Sequence, residues 1–166
     1  FMVGLGFFQE DRFSVHQFFM RDYSEERASL SLLKDVIDSF QFLVTFNGRQ
    51  YDIPLLETRF ILSRVASKIR EMPNFDLLYP SRKIWKGAYE NCRLVTLESR
   101  LLGVERTDDI PSEWIPSLYF EYIQTGDARR ISQVFYHNRM DILSMVALAG
   151  RIHLVYHDPQ AARPRK

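Results

Sequence analysis

Asp52 and Asp141 are the carboxylates whose placement could do chemistry. Asp52 closes the stretch NGRQYD, between a short β-branched apolar run and a helical apolar pattern. Asp141 lies in YHNRMDILS, near the start of the last long helical pattern. A strand end and a helix start both suit the crevice beyond the carboxyl ends of an open α/β sheet. Two carboxylates with further oxygen ligands can hold hard divalent ions such as Mg2+ or Mn2+. A pair of such ions can stabilise the entering and leaving oxygens of a phosphodiester. Such a site wants three or four carboxylates, so these two need partners.

Each candidate also has a plain structural reading. Asp52 fits a helix cap, Asn47–Gly48 a turn, and Asp141 an acid in the first turn of a helix. His137 precedes Asp141 by four residues, a spacing that puts both on one helix face. There an imidazole could take a proton from water near neutral pH, although a bystander histidine fits the same pattern. Asp76 lies between apolar neighbours in NFDLLY, and an inward carboxylate there needs a partner. Arg59 follows the Asp52 turn, and Arg82, Lys83 and Lys86 surround Trp85. These cations could bind phosphates while Trp85 or Tyr89 stacks a base. Equally, they could form a solvated face beside a loop pinned by Trp85. No Cys/His spacing supports zinc.

The elements that must position these residues follow from periodicity and punctuation. FMVGLGFF reads as a buried strand in which Gly4 and Gly6 allow close backbone approach. QEDR reads as a hairpin turn into an antiparallel strand, FSVHQFF. Ser24 is the expected cap of an amphipathic helix carrying Leu32, Leu33, Val36, Ile37 and Phe40. FLVTF, Phe42 to Phe46, predicts an interior strand, and a helix from Asp52 to about Lys68 follows. NFDLLYP predicts a short strand closed by Pro80, and LVTLESRLL a short helix. GVERTDDIPSEWIP reads as a polar loop. Two short helices, SLYFEYIQTG and DARRISQVFYHN, precede a last helix from about Arg139 to His157. The expected class is therefore α/β, a mixed sheet flanked by helices. It forms one domain over residues 1–157, with a polar tail, DPQAARPRK, over 158–166. The order of elements also wants a central strand ahead of Phe1.

Composition narrows the function classes. The chain has 166 residues, 46% apolar, with a formal charge of +1. That supports a real core and leaves any nucleic-acid affinity to a local patch. A single cysteine, Cys92, excludes an internal disulfide framework and points to a reducing, cytoplasmic setting. No apolar run reaches the ~18 residues of a membrane span.

Together the motifs resemble the DEDD class of 3′–5′ exonucleases on the ribonuclease-H-like fold. NGRQYD is similar to the second exonuclease motif, and YHNRMDILS to the third. The likeness is greatest to the YprB-type ribonuclease-H-like domain, through TFNG…YDIPLLETR, DLLYPSR, WKG, CRLVTLE, DDIP and HNRMDILSM. The resemblance implies a mixed five-stranded sheet and metal-dependent hydrolysis of DNA or RNA. Asp52 and Asp141 would be ligands to Mg2+ or Mn2+, and Asn47 would orient the second-motif turn or meet substrate. His137 stands where tyrosine-type members carry their tyrosine. Tyr136 stands where histidine-type members carry their histidine, so the general base is open between the two. Asp76 matches a recurrent aspartate without an assigned role. The family's first motif, Asp-x-Glu, is expected on a strand ahead of Phe1. Without it the chain is expected to be weak or inactive, either as part of a longer protein or as a degenerate, non-catalytic module that binds nucleic acid or protein. It would then need a partner strand, by oligomerisation or strand exchange.

Overall fold

A computed structural model describes residues 2–107 and 109–162. The expectations placed on Phe1, on the first aspartate of DDIP and on the final RPRK lie outside the described residues. The chain folds as two compact units. One is Phe1–Ser29 with Arg106–Leu143; the other is Leu30–Glu105 with Ser144–Lys166.

The first unit begins with a hairpin, β1 (Met2–Gln9) and β2 (Arg12–Phe19), paired antiparallel from Met2↔Phe19 to Gln9↔Arg12. Its two-residue turn places Glu10 at φ 53°, a left-handed conformation of the kind tight hairpins use. Against the hairpin lies α6 (Ala128–His157), a continuous helix of 30 residues. A Cβ at Gly4 would overlap Asn138 Oδ1 and Ile142 Cδ1; one at Gly6 would overlap Ile142 Cγ2 and the Phe13 ring. The two glycines are thus what lets strand and helix approach. Gln17 Nε2 ties them further, donating to the Phe135 carbonyl at 2.8 Å and to Asn138 Oδ1 at 2.9 Å. The core is completed by Ile110, by Leu118 of α5 (Ile115–Thr125), and by Ile131 and Val134 of α6. Phe19 packs on Tyr122 and Phe135 with ring centroids 5.3 and 4.9 Å apart.

The second unit is built on a strand–helix–strand crossover. β3 (Leu43–Thr45) and β4 (Asn74–Asp76) pair in parallel, joined through α2 (Asp52–Leu62). The Asp76 carboxylate, only 6% exposed, organises the crossing. It accepts from the backbone N–H of Asn47 at 2.7 Å, of Arg49 at 3.1 Å and of Leu78 at 3.1 Å. Those bonds pin the turn after β3 to the start of α3 (Leu78–Trp85), where the helix dipole also favours the charge. The main core joins Leu77, Trp85, Leu97, Leu101, Leu148, Ile152 and Val155. Leu30, Leu33 and Ile37 of α1 (Glu26–Ile37) are buried as well, whereas Leu32 points off the apolar face into water and Phe40 lies beyond the helix end, also exposed.

Several boundaries differ from the sequence reading. Asp22, not Ser24, caps the turn before α1, accepting from the Ser24 N–H at 2.7 Å. Helix α2 stops at Leu62 instead of about Lys68. Arg64 turns left-handed at φ 54°, while Val65 N–H reaches the Phe60 carbonyl at 2.9 Å and Arg64 N–H the Ile61 carbonyl at 3.0 Å, a Schellman stop. Leu78 and Tyr79 belong to α3 and not to a strand, because Pro80 is tolerated in a first helical turn. α4 (Leu94–Leu97) runs on into a π-helical turn ended by Gly103 at φ 69°. No break separates DARRISQVFYHN from the last helix, so Asp141 stands in mid-helix and not in a first turn. The tail begins with a 3-10 turn, Pro159–Ala162. Among the described residues the strands form two separate pairs in place of one five-stranded sheet, one pair in each unit.

Two glycines of opposite setting test the packing of α6. Gly4→Ala is expected to cost roughly 1–3 kcal/mol by overpacking. Gly150→Ala meets open space on the same helix and should gain roughly 0.5–1 kcal/mol; equal shifts in denaturant midpoint would refute the contrast. Asp76→Ala strands three donors. At ~1–3 kcal/mol for each donor that water cannot reach, it should lower unfolding free energy by about 2–4 kcal/mol. A wild-type midpoint would show that the turn does not depend on Asp76.

Candidate functional site

In the first unit, the residues with chemical potential converge on α6. His137 and Asp141, one turn apart, face the loop that carries Arg106 and Asp109. Arg106 is the centre of the cluster. Its Nη1 lies 2.8 Å from Asp109 Oδ2 and its Nη2 2.6 Å from Asp141 Oδ1. The guanidinium side chain is 6% exposed, against 14% for Asp109, 12% for His137 and 35% for Asp141. His137 Nδ1 lies 2.9 Å from Asp109 Oδ1. A carboxylate at that distance assigns the proton to Nδ1. Nε2 is left facing Asp141 Oδ2 and Ser112 Oγ, each at 3.4 Å. Both contacts are long for hydrogen bonds, leaving Nε2 able to take a proton.

Electrostatics follow from the same contacts. Burial pushes the Asp109 carboxyl up, but hydrogen bonds from Arg106 and His137, the His137 charge and the Ile110 N–H together hold it below the usual aspartate value.

The other expected residues are placed differently. Asn47 belongs to the second unit, at φ 61° with its N–H on Asp76. It therefore serves the turn, a conformation asparagine tolerates better than most residues. Asp52 opens α2, whose N-cap is Tyr51 without a side-chain cap bond, so Asp52 is a first-turn acid and not the cap. Arg59 is half-buried on α2, while Arg82, Lys83 and Lys86 are exposed on or just after α3. Trp85 cannot stack a base: it is 0% exposed, packed in the core of the second unit. Its place at the end of a helix with apolar i−1, i−7 and i−8 neighbours makes it core in spite of the cations beside it. Tyr136 is half-buried beneath the Arg139 guanidinium, 5.8 Å from its ring centre.

Asp52 and Asp141 fall in different units. Among the described residues no group of three or more His, Cys, Asp or Glu side chains could hold a metal ion. At Asp141 one carboxylate oxygen already accepts from Arg106. The described residues therefore do not fit a divalent ion there. Arg106 and Asp109 escaped sequence reasoning because charges in a polar loop look solvated; the only pointer was the DDIP stretch. Among the described residues no helix is long and apolar enough to cross a membrane.

A family model described as the RNase H superfamily matches residues 1–153. The chain is also 34% identical over 149 residues to a Bacillus subtilis (strain 168) protein named "Uncharacterized protein YprB". The match covers 89% of this chain and 36% of that relative, so the chain spans well under half of the relative's length. No solved structure matches it. The α/β architecture, with small sheets flanked by helices, is a reduced form of the same topology. On the family match and this likeness, the chain belongs to the RNase H superfamily.

Proposed function

We propose that the protein, at its full natural length, is a metal-dependent nuclease of the DEDD 3′–5′ exonuclease type acting on DNA or RNA. The observation that carries the reading is the Asp109–His137 pair at 2.9 Å beside Asp141, in a chain of the RNase H superfamily. His137 is the candidate general base, and Nε2 is the nitrogen that would take a proton from the attacking water. Asp109 is a positioning residue: it fixes the tautomer and stabilises the imidazolium that forms, as a buried carboxylate does for a histidine base. Of the two neighbours that could be the base, His137 is the one engaged with carboxylates, whereas Tyr136 meets Arg139.

Mg2+ or Mn2+ is the proposed cofactor of the full-length protein; Asp52, in the second unit, and Asp141, in the first, are proposed as carboxylates for it on the motif resemblance alone. When bound, it would supply Lewis-acid stabilisation of the phosphodiester oxygens. Since the described carboxylates do not complete such a site, the reading assigns the remaining ligands to the full-length protein. Arg82, Lys83 and Lys86 are the proposed phosphate contacts, with Arg59 as a further candidate.

A second reading, a nucleic-acid-binding module without turnover, is favoured by the engagement of Asp141 with Arg106. End-labelled single- and double-stranded DNA and RNA, incubated with the full-length protein and Mg2+ or Mn2+, separate the two. The nuclease reading expects metal-dependent cleavage that Asp52→Asn and Asp141→Asn abolish. It expects His137→Ala to lower kcat roughly 10²- to 10⁴-fold. Cleavage that survives both aspartate changes, or none with either metal, removes the enzyme. Under either reading, the combined Arg82→Ala, Lys83→Ala and Lys86→Ala variant should flatten the salt dependence of duplex DNA binding by about 2–3 in log–log slope, since each lost phosphate contact is worth ~0.9. An unchanged slope would place the nucleic acid elsewhere.

A further inference from the structure

We propose that Tyr79 is a base-stacking residue, and that the exposed face of α3 is a binding surface for single-stranded nucleic acid. The inference rests on the proposed phosphate contacts Arg82, Lys83 and Lys86, and needs neither cleavage nor a bound metal.

The phase of α3 carries it. Leu78, Pro80, Ser81 and Trp85 are buried, while Tyr79 is 55% exposed and Arg82, Lys83 and Lys86 are exposed. Counted from Tyr79, the cations stand at i+3, i+4 and i+7, the spacing of one helix face. Lys86 lies just past the helix end, but its N–H still donates to the Arg82 carbonyl at 3.1 Å, which keeps it in phase. As a strand, NFDLLYP would not share a face with these cations; as a helix, its tyrosine does. The α3 sequence, LYPSRKIW, contains no acidic residue, so the helix gives this face one sign of charge. Trp85 is sealed in the core and Tyr89 is half-buried against it. Tyr79 is therefore the aromatic that this face presents.

The dimensions match one strand. From Tyr79 to Lys86 the helix rises about 10 Å, at ~1.5 Å per residue. That is roughly three phosphate spacings of a single strand, at ~3.4 Å each. Three cations can follow the backbone while the tyrosine ring takes a base. Every base has a π-face, so such stacking tolerates any sequence. A duplex hides those faces between neighbouring pairs. The cations thus serve both forms, and the tyrosine adds affinity for the unpaired one.

Fluorescence anisotropy of a labelled oligo-dT about 10 nucleotides long, with the full-length protein in EDTA, reads binding without turnover. Tyr79→Ala should weaken binding roughly 5- to 100-fold, as the loss of one base stack does. Tyr79→Phe keeps the ring and should bind as the wild type does. The salt slope should not change in Tyr79→Ala, because the phosphate contacts remain. A duplex of the same length should lose less than about twofold. Circular dichroism establishes that each variant is folded; if Tyr79→Ala does not fold, Tyr79→Leu takes its place with the same expected loss. Unchanged oligo-dT affinity in the folded variant, an equal loss on duplex, or no oligo-dT binding at low salt overturns the proposal. Tyr79-dependent binding by a protein that cleaves nothing refutes the nuclease reading and leaves this one standing. Metal-dependent cleavage with an affinity indifferent to Tyr79 does the reverse.

Discussion

One guanidinium between two carboxylates organises the chemistry of the first unit. Arg106 is almost fully buried, and a buried charge is tolerated only where it is paired and hydrogen-bonded. Asp109 and Asp141 meet that demand from opposite sides, one from the loop and one from α6. The same pairing fixes Asp109, which in turn fixes the imidazole of His137. Remove the arginine and Asp109 and Asp141 each lose a short guanidinium contact beside His137. The arrangement is a chain of dependence, in which the candidate base is oriented through a carboxylate that is itself oriented by a cation.

In the second unit a buried carboxylate, Asp76, is met by main-chain donors among the described residues. Three N–H dipoles and the start of a helix stabilise the anion, as they do for anions bound at helix N-termini. Its function is architectural: it closes the turn that leads from β3 into the Asp52 helix. Asp76 and Asp109 thus differ in their donors: main-chain amides hold the first in the scaffold, while Arg106 and His137 join the Ile110 N–H on the second.

Much of this was legible in the residues. The hairpin, the strand–helix–strand unit and the i,i+4 pairing of His137 with Asp141 follow from local pattern, because periodicity and turn residues act over short distances. The close approach at Gly4 and Gly6 was readable because a glycine in an apolar strand has few other uses. What escaped has a common physical cause: it depends on partners distant in sequence. Nothing local distinguishes Arg106 from a solvated loop arginine, since its burial is created by a helix some thirty residues on. Trp85 misled for the converse reason. Its cationic neighbours suggested a nucleic-acid surface, while the helix turned its ring inward and left Arg82, Lys83 and Lys86 outside. The unbroken length of α6 was hidden by the polar stretch His137–Arg139, which reads as a boundary; within the helix His137 and Asp141, one turn apart, meet the loop, while Asn138 meets the hairpin.

The placement of the tryptophans gives the molecule a built-in optical label. The sequence has two, and they report on different parts: Trp85, at 0% exposure, is sealed in the second unit, while Trp114, at 52%, stands in water in the first. A sealed indole emits at shorter wavelength and escapes small quenchers, whereas a wetted one emits to the red and is readily quenched. Iodide can therefore silence one signal and spare the other, so that the melting of each half can be followed by its own colour without attaching a dye.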